Sequence, residues 1–71
     1  MSSALARAVE IVGGQSALAK AIGTKQQTVW WWLNRAGTVP GEYVLAIERA
    51  TKSQVTRHDL RPDLYPAEDV A

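Results

Sequence analysis

Lys25, Gln26 and Gln27 stand where a helix is about to begin, and their side chains suit the edges of nucleic-acid bases. A glutamine amide can bond bidentately to N6 and N7 of adenine, and a lysine ammonium can donate to guanine or to phosphate. An isolated glutamine pair is also simply a soluble, helix-forming pair. Position separates the two readings. Gly23 precedes the cluster as a turn residue, Thr24 is of a type that caps helices, and Gln27 sits where a capping-box partner belongs. A capped helix tip after a glycine turn is where a helix-turn-helix meets the major groove, so base edges are the expected target.

Two short amphipathic helices must hold that tip. Leu18, Ala21 and Ile22 recur at i, i+3 and i+4 and predict one apolar face. Val29, Trp32, Leu33 and Ala36 extend the pattern to i+7 in the next helix. At about 100° per residue, Gln27, Trp30, Trp31 and Asn34 fall opposite that second stripe. Gln15 opens the preceding helix, whose unpaired backbone N–H groups favour a phosphate or base contact. The expected DNA-contacting set is therefore Gln15, Lys25, Gln26, Gln27, Thr28, Trp31, Asn34 and Arg35.

Residues 15–34, QSALAKAIGTKQQTVWWWLN, resemble the DNA-binding unit of phage Cro and repressor proteins. Within them GTKQQTV is close to the turn and recognition-helix start of the lambdoid repressors. VGGQSALAKAIG, the Trp32–Leu33 pair, VPGEYVLAIERAT and VTRHDLRPDLYP are similar to the YdaS-type, Cro-like bacterial and prophage regulators. That second resemblance covers roughly residues 5–66, and some members of the group are described as antitoxins. It implies an all-α, compact five-helix lambda-repressor-like fold. Trp30 and Trp31 depart from the pattern, which has small or charged residues there.

Size and composition agree with a small binding module. A chain of 71 residues has room for one domain with a modest core. The expected division is a single domain over 1–66 with its helix-turn-helix at 15–34, followed by a disordered tail over 67–71. Without cysteine, the chain has no disulfide framework, thiolate metal site or cysteine nucleophile. No apolar run approaches a membrane span and the N-terminus lacks signal-peptide character, so a cytoplasmic location is expected, on the nucleoid when DNA-bound.

Charge is unevenly placed. Residues 1–36 carry Arg7, Lys20, Lys25 and Arg35 against Glu10 alone, a balance of +3. Residues 37–71 carry four basic residues against six acidic ones, a balance of −2. The basic half coincides with the proposed DNA-binding half, as an electrostatic footprint requires.

The remaining elements read as support. Leu5, Ala8, Val9 and Val12 form the stripe of a first helix, capped by Ser2 or Ser3 and ended by Gly13–Gly14. A fourth helix is expected from Pro40 to about Thr51, with Val44, Ile47 and Tyr43 inward and Glu48 and Arg49 outward. Thr56 and Asp59 have capping-box spacing for a short fifth helix near Arg57–Leu60, which Pro62 stops. Leu60, Leu64 and Tyr65 should lay the tail over the domain.

Chemistry of other kinds finds little support. The single His58 has no cluster of ligand-type residues around it, and Asp59 and Asp63 read as surface salt-bridge partners. No nucleophile, base and orienting group are assembled, so no enzyme, cofactor or small-molecule substrate is expected. The expected function is operator occupancy by a homodimer on double-stranded DNA. An antitoxin that also binds a toxin protein, or a helical domain docking proteins through Trp30 and Trp31, are the alternatives. That pair could equally meet duplex DNA or else the tail or a dimer partner; stacking on single-stranded bases stands well behind these, because a duplex-reading motif already explains the stretch.

Overall fold

Ser3 starts the first helix by accepting a hydrogen bond from the Ala6 backbone N–H at 3.1 Å. The computed structural model describes residues 3–66, and five α-helices follow in order. They are α1 (Ala4–Val12), α2 (Gln15–Ile22), α3 (Gln26–Trp31), α4 (Gly41–Ala50) and α5 (Arg57–Leu60). No strand occurs among the described residues, so the all-α, five-helix expectation holds.

The central helix is α2, which packs on α1, α3 and α4. Gly13 and Gly14 make the break before it with φ of 100° and 128°, where a Cβ would be strained. The core is the inward face of each helix: Leu5 and Ala8, Leu18 and Ala19, Val29 and Trp32, Val44 and Ile47, and Leu60. Val39 and Val55, from the two connections, complete it. Trp32 is 4% exposed and meets the Tyr43 ring at 5.2 Å between centroids.

Trp32–Ala36 continues α3 as a π-helical turn. The Gly37 N–H reaches the Trp32 carbonyl at 2.9 Å, an i→i+5 bond, and Gly37 ends the turn in the left-handed region. This turn corrects the expected stripe at its far end. A wider turn advances each residue by less than the α-helical angle, so Ala36 swings out and is exposed. Ala21 is likewise exposed, on an open groove that it lines with Val12 and Ala50.

The expected start of α3 shifts by one residue. Lys25, extended at φ −101° and ψ 150°, precedes the helix, and no side chain caps it. Thr24 is therefore not its cap, and the Thr24–Gln27 capping box does not form. By contrast, the second capping box is present: Thr56 Oγ1 accepts from the Asp59 N–H, and an Asp59 carboxylate oxygen accepts from the Thr56 N–H at 3.0 Å.

The support elements are tied by polar contacts that periodicity does not reveal. Glu48, expected outside, is instead half-buried, and its carboxylate accepts from the Arg57 N–H at 2.8 Å at the start of α5. Thr51 is buried, and its hydroxyl accepts from the Val55 N–H at 3.2 Å, closing the turn in which Lys52 and Ser53 have positive φ. Arg61 donates to the Val39 carbonyl at 2.9 Å and pairs with Asp63 at 2.7 Å, which fastens the C-terminal segment. Of the apolar tail residues, Leu60 is buried and Tyr65 packs on the core, but Leu64 stays exposed. The tail expected over 67–71 lies outside the described residues.

Candidate nucleic-acid interface

The tips of α2 and α3 meet at one edge of the domain. Gln26 Nε2 donates to Gln15 Oε1 at 2.8 Å, across the turn that Gly23 forms with φ 80°. Two residues eleven apart in sequence thus share one surface. Lys25, Gln26 and Gln27 are all exposed there, and Gln15 is half-buried.

Helical geometry arranges the rest of the surface. With Val29 and Trp32 directed into the core, Gln27 and Trp31 lie on the opposite face of the helix. Gln26 and Trp30 follow one flank, toward α1 and α2. A shallow groove runs along that flank, lined by Val9, Gly14, Ser16, Ala17, Gln26 and Trp30. Trp30 and Trp31 are 43% and 55% exposed, in contrast to Trp32.

The expected residues do not contribute equally. Thr28 lies on the far flank and is half-buried. Asn34 is exposed, but its amide Nδ2 donates to the Trp30 carbonyl at 2.9 Å, an attachment to its own helix. Arg35 is exposed at the end of the π turn. Two residues outside the expected set join this surface: Ser16, exposed beside Gln15, and Trp30 in the groove. Their sequence signals were available, since Ser16 follows the tip residue of α2 and Trp30 lies four after Gln26.

Charge on this edge is cationic. Residues 25–36 hold Lys25 and Arg35 and no carboxylate. Neither forms an ion pair among the described residues, where pairs join Arg7 to Asp59, Arg57 to Glu48 and Arg61 to Asp63. Arg57, Arg61 and their partners lie in the C-terminal half and stabilise it locally. The Arg61 guanidinium, through its hydrogen bonds, holds the Asp63 carboxyl below the usual carboxylate range.

His58 has a structural task. Its Nδ1 lies 2.9 Å from the Tyr65 carbonyl, which can only accept, so Nδ1 carries the proton in this bond. The Arg57 guanidinium lies over the Tyr65 ring at 5.9 Å. Among the described residues no group of His, Asp and Glu could hold a metal ion. No helix among them is long and apolar enough to cross a membrane.

Residues 5–69 match the family described as bacterial toxin YdaS. The chain belongs to the YdaS family. The YdaS protein of Escherichia coli (strain K12), described as a proposed transcriptional regulator, is 41% identical over 58 residues. The match covers 82% of this chain and 59% of that protein, so the chain spans about three fifths of the relative's length. Among solved structures, the Cro protein from a proposed prophage element, Xfaso 1, of Xylella fastidiosa strain Ann-1 aligns with a TM-score of 0.87. It is 36% identical, and the alignment covers 93% of this chain and 100% of that one. This YdaS-family chain therefore has a Cro-like fold, as the resemblance in residues 15–34 implied.

Proposed function

We propose that the protein is a sequence-specific regulator that binds duplex DNA through the major groove. The observation that carries this reading is the joined tip of α2 and α3, where Gln15 braces Gln26 beside exposed Lys25 and Gln27. The chemistry is division of labour. Gln26 and Gln27 address base edges, while Lys25, Arg35 and the α2 tip at Gln15 and Ser16 address the phosphate backbone. One such helix spans too few base pairs for useful affinity, so two copies acting as a homodimer would occupy half-sites about 34 Å apart. Regulation then needs only occupancy of an operator, with no bond made or broken.

The names of the relatives support this reading, since one is described as a regulator and another as a Cro protein. Selection of bound fragments from a random duplex pool, followed by affinity measurement across a salt series, tests it. A defined site and a steep loss of affinity with salt are expected. No enrichment, or binding indifferent to salt, would count against it.

A second reading comes from the family's description as a toxin. Occupancy of the wrong operators would itself harm a cell, so one surface could serve both descriptions. In that case a Lys25→Ala/Gln26→Ala double variant loses DNA binding and toxicity together. An antitoxin that binds a toxin protein would need a partner surface elsewhere, and that variant would keep its protein partner.

A further inference from the structure

We propose that Trp31 is an apolar specificity determinant, packing its indole on the C5-methyl group of a thymine beside the bases met by Gln26 and Gln27. This rests on the DNA-binding reading and gives a task to the most exposed of the three tryptophans. Trp31 lies four residues after Gln27 on the face turned from Val29 and Trp32, so ring and amide share one surface. Trp30 differs, because its ring lines the groove with Val9, Ala17 and Gln26. At 55% exposure the Trp31 ring presents apolar surface that a partner can cover.

Charge selects the occupant. The segment from Lys25 to Arg35 has a cation at each end and no carboxylate, which suits a polyanion. Within the major groove, thymine's methyl is the apolar group on offer, as the other edge groups donate or accept hydrogen bonds. Four residues of helix advance about 6 Å, against about 3.4 Å per base pair. The thymine therefore lies one to two base pairs from the base met by Gln27.

The test replaces each thymine of the selected duplex, one at a time, by deoxyuridine, which removes a methyl and keeps the hydrogen-bonding edge. Wild type should lose about fourfold in affinity at one thymine per half-site, the transfer value of one small apolar group. Trp31→Ala should bind the intact duplex more weakly and no longer distinguish the two bases there, while Trp31→Phe keeps part of the discrimination. Circular dichroism establishes that each variant is folded. Wild-type discrimination by folded Trp31→Ala at every thymine overturns the inference, as does a selected site with no thymine within two base pairs. It also fails if Trp31→Ala dissociates a dimer in the absence of DNA, which makes the ring a subunit contact. Trp31-dependent preference for single strands over duplex overturns it in favour of base stacking. Failure of wild type to bind any duplex defeats the DNA reading itself, a result distinct from all of these.

Discussion

Gln15 and Gln26 hold each other at 2.8 Å across the tips of two helices. An amide has two donor hydrogens and two acceptor lone pairs, so Gln26 can keep this bond and still offer an N–H and its oxygen to an adenine. A side chain already fixed before binding avoids an ordering cost of about 0.5–1.5 kcal/mol. On the proposed DNA-binding reading, Gln15 would act on base recognition through Gln26 as well as through a phosphate contact of its own.

That relationship predicts coupling. Gln15→Ala and Gln26→Ala should each weaken binding to the selected duplex, and the double variant should lose less than their sum by at least about 0.5 kcal/mol. Affinity measurements on all four proteins close the cycle. Strictly additive losses would mean that Gln15 does not position Gln26.

The tryptophans divide sharply. Trp32→Ala should cost about 3–5 kcal/mol, enough to unfold much of so small a domain. Trp31→Ala, made at a residue that is 55% exposed, should leave the urea midpoint within about 0.5 kcal/mol of wild type. Equal destabilisation by both would show that Trp31 is covered in solution.

Much of this was legible from residue types and spacing, and the exceptions have physical causes. The bounds of α2 and α5, the inward face of α4 and the split between Trp32 and its two neighbours follow from periodicity and capping chemistry. Apolar spacing marks which residues a helix buries, but it is blind to the hydrogen-bond register within the helix. The π turn after Trp31 therefore went unseen, and with it the outward swing of Ala36. Glu48 reads as solvated on its own helix and becomes half-buried only because α5 begins against it. The Gln15–Gln26 bond was invisible for the same reason: each residue has a sensible local role, and only the tertiary turn brings them together.

Thr56, which caps a helix, and Thr24, which does not, give contrasting expectations. Thr56→Ala removes a formed capping box and should cost about 0.5–2 kcal/mol. Thr24→Ala removes no cap and should stay within about 0.5 kcal/mol of wild type. Thermal and urea midpoints of the two variants check this. A larger loss at Thr24 would place the start of α3 one residue earlier.

Stability should fall in acid partly through Asp59. The Thr56 backbone N–H, opposed by burial and aided by the Thr56 hydroxyl, Arg7 and His58, holds its carboxyl below the usual value of 3.8. A depressed folded value gives stabilisation that is complete above the unfolded pKa and lost as pH falls through the folded one. Urea midpoints should therefore drop below about pH 4, with a shallower drop in Asp59→Asn. An identical acid slope in that variant would remove Asp59 from the account.

The central claim is that the tip of α3 reads base pairs. Its most direct test is binding of wild type, Lys25→Ala and Gln27→Ala to selected duplexes and their single-base variants across a salt series. Gln27→Ala should lose about 1–3 kcal/mol of discrimination at one position per half-site. Lys25→Ala should weaken every duplex alike and reduce the salt slope by about one unit per site. If both variants are folded and match wild type on every duplex at every salt concentration, α3 is not the reader and the major-groove account is wrong.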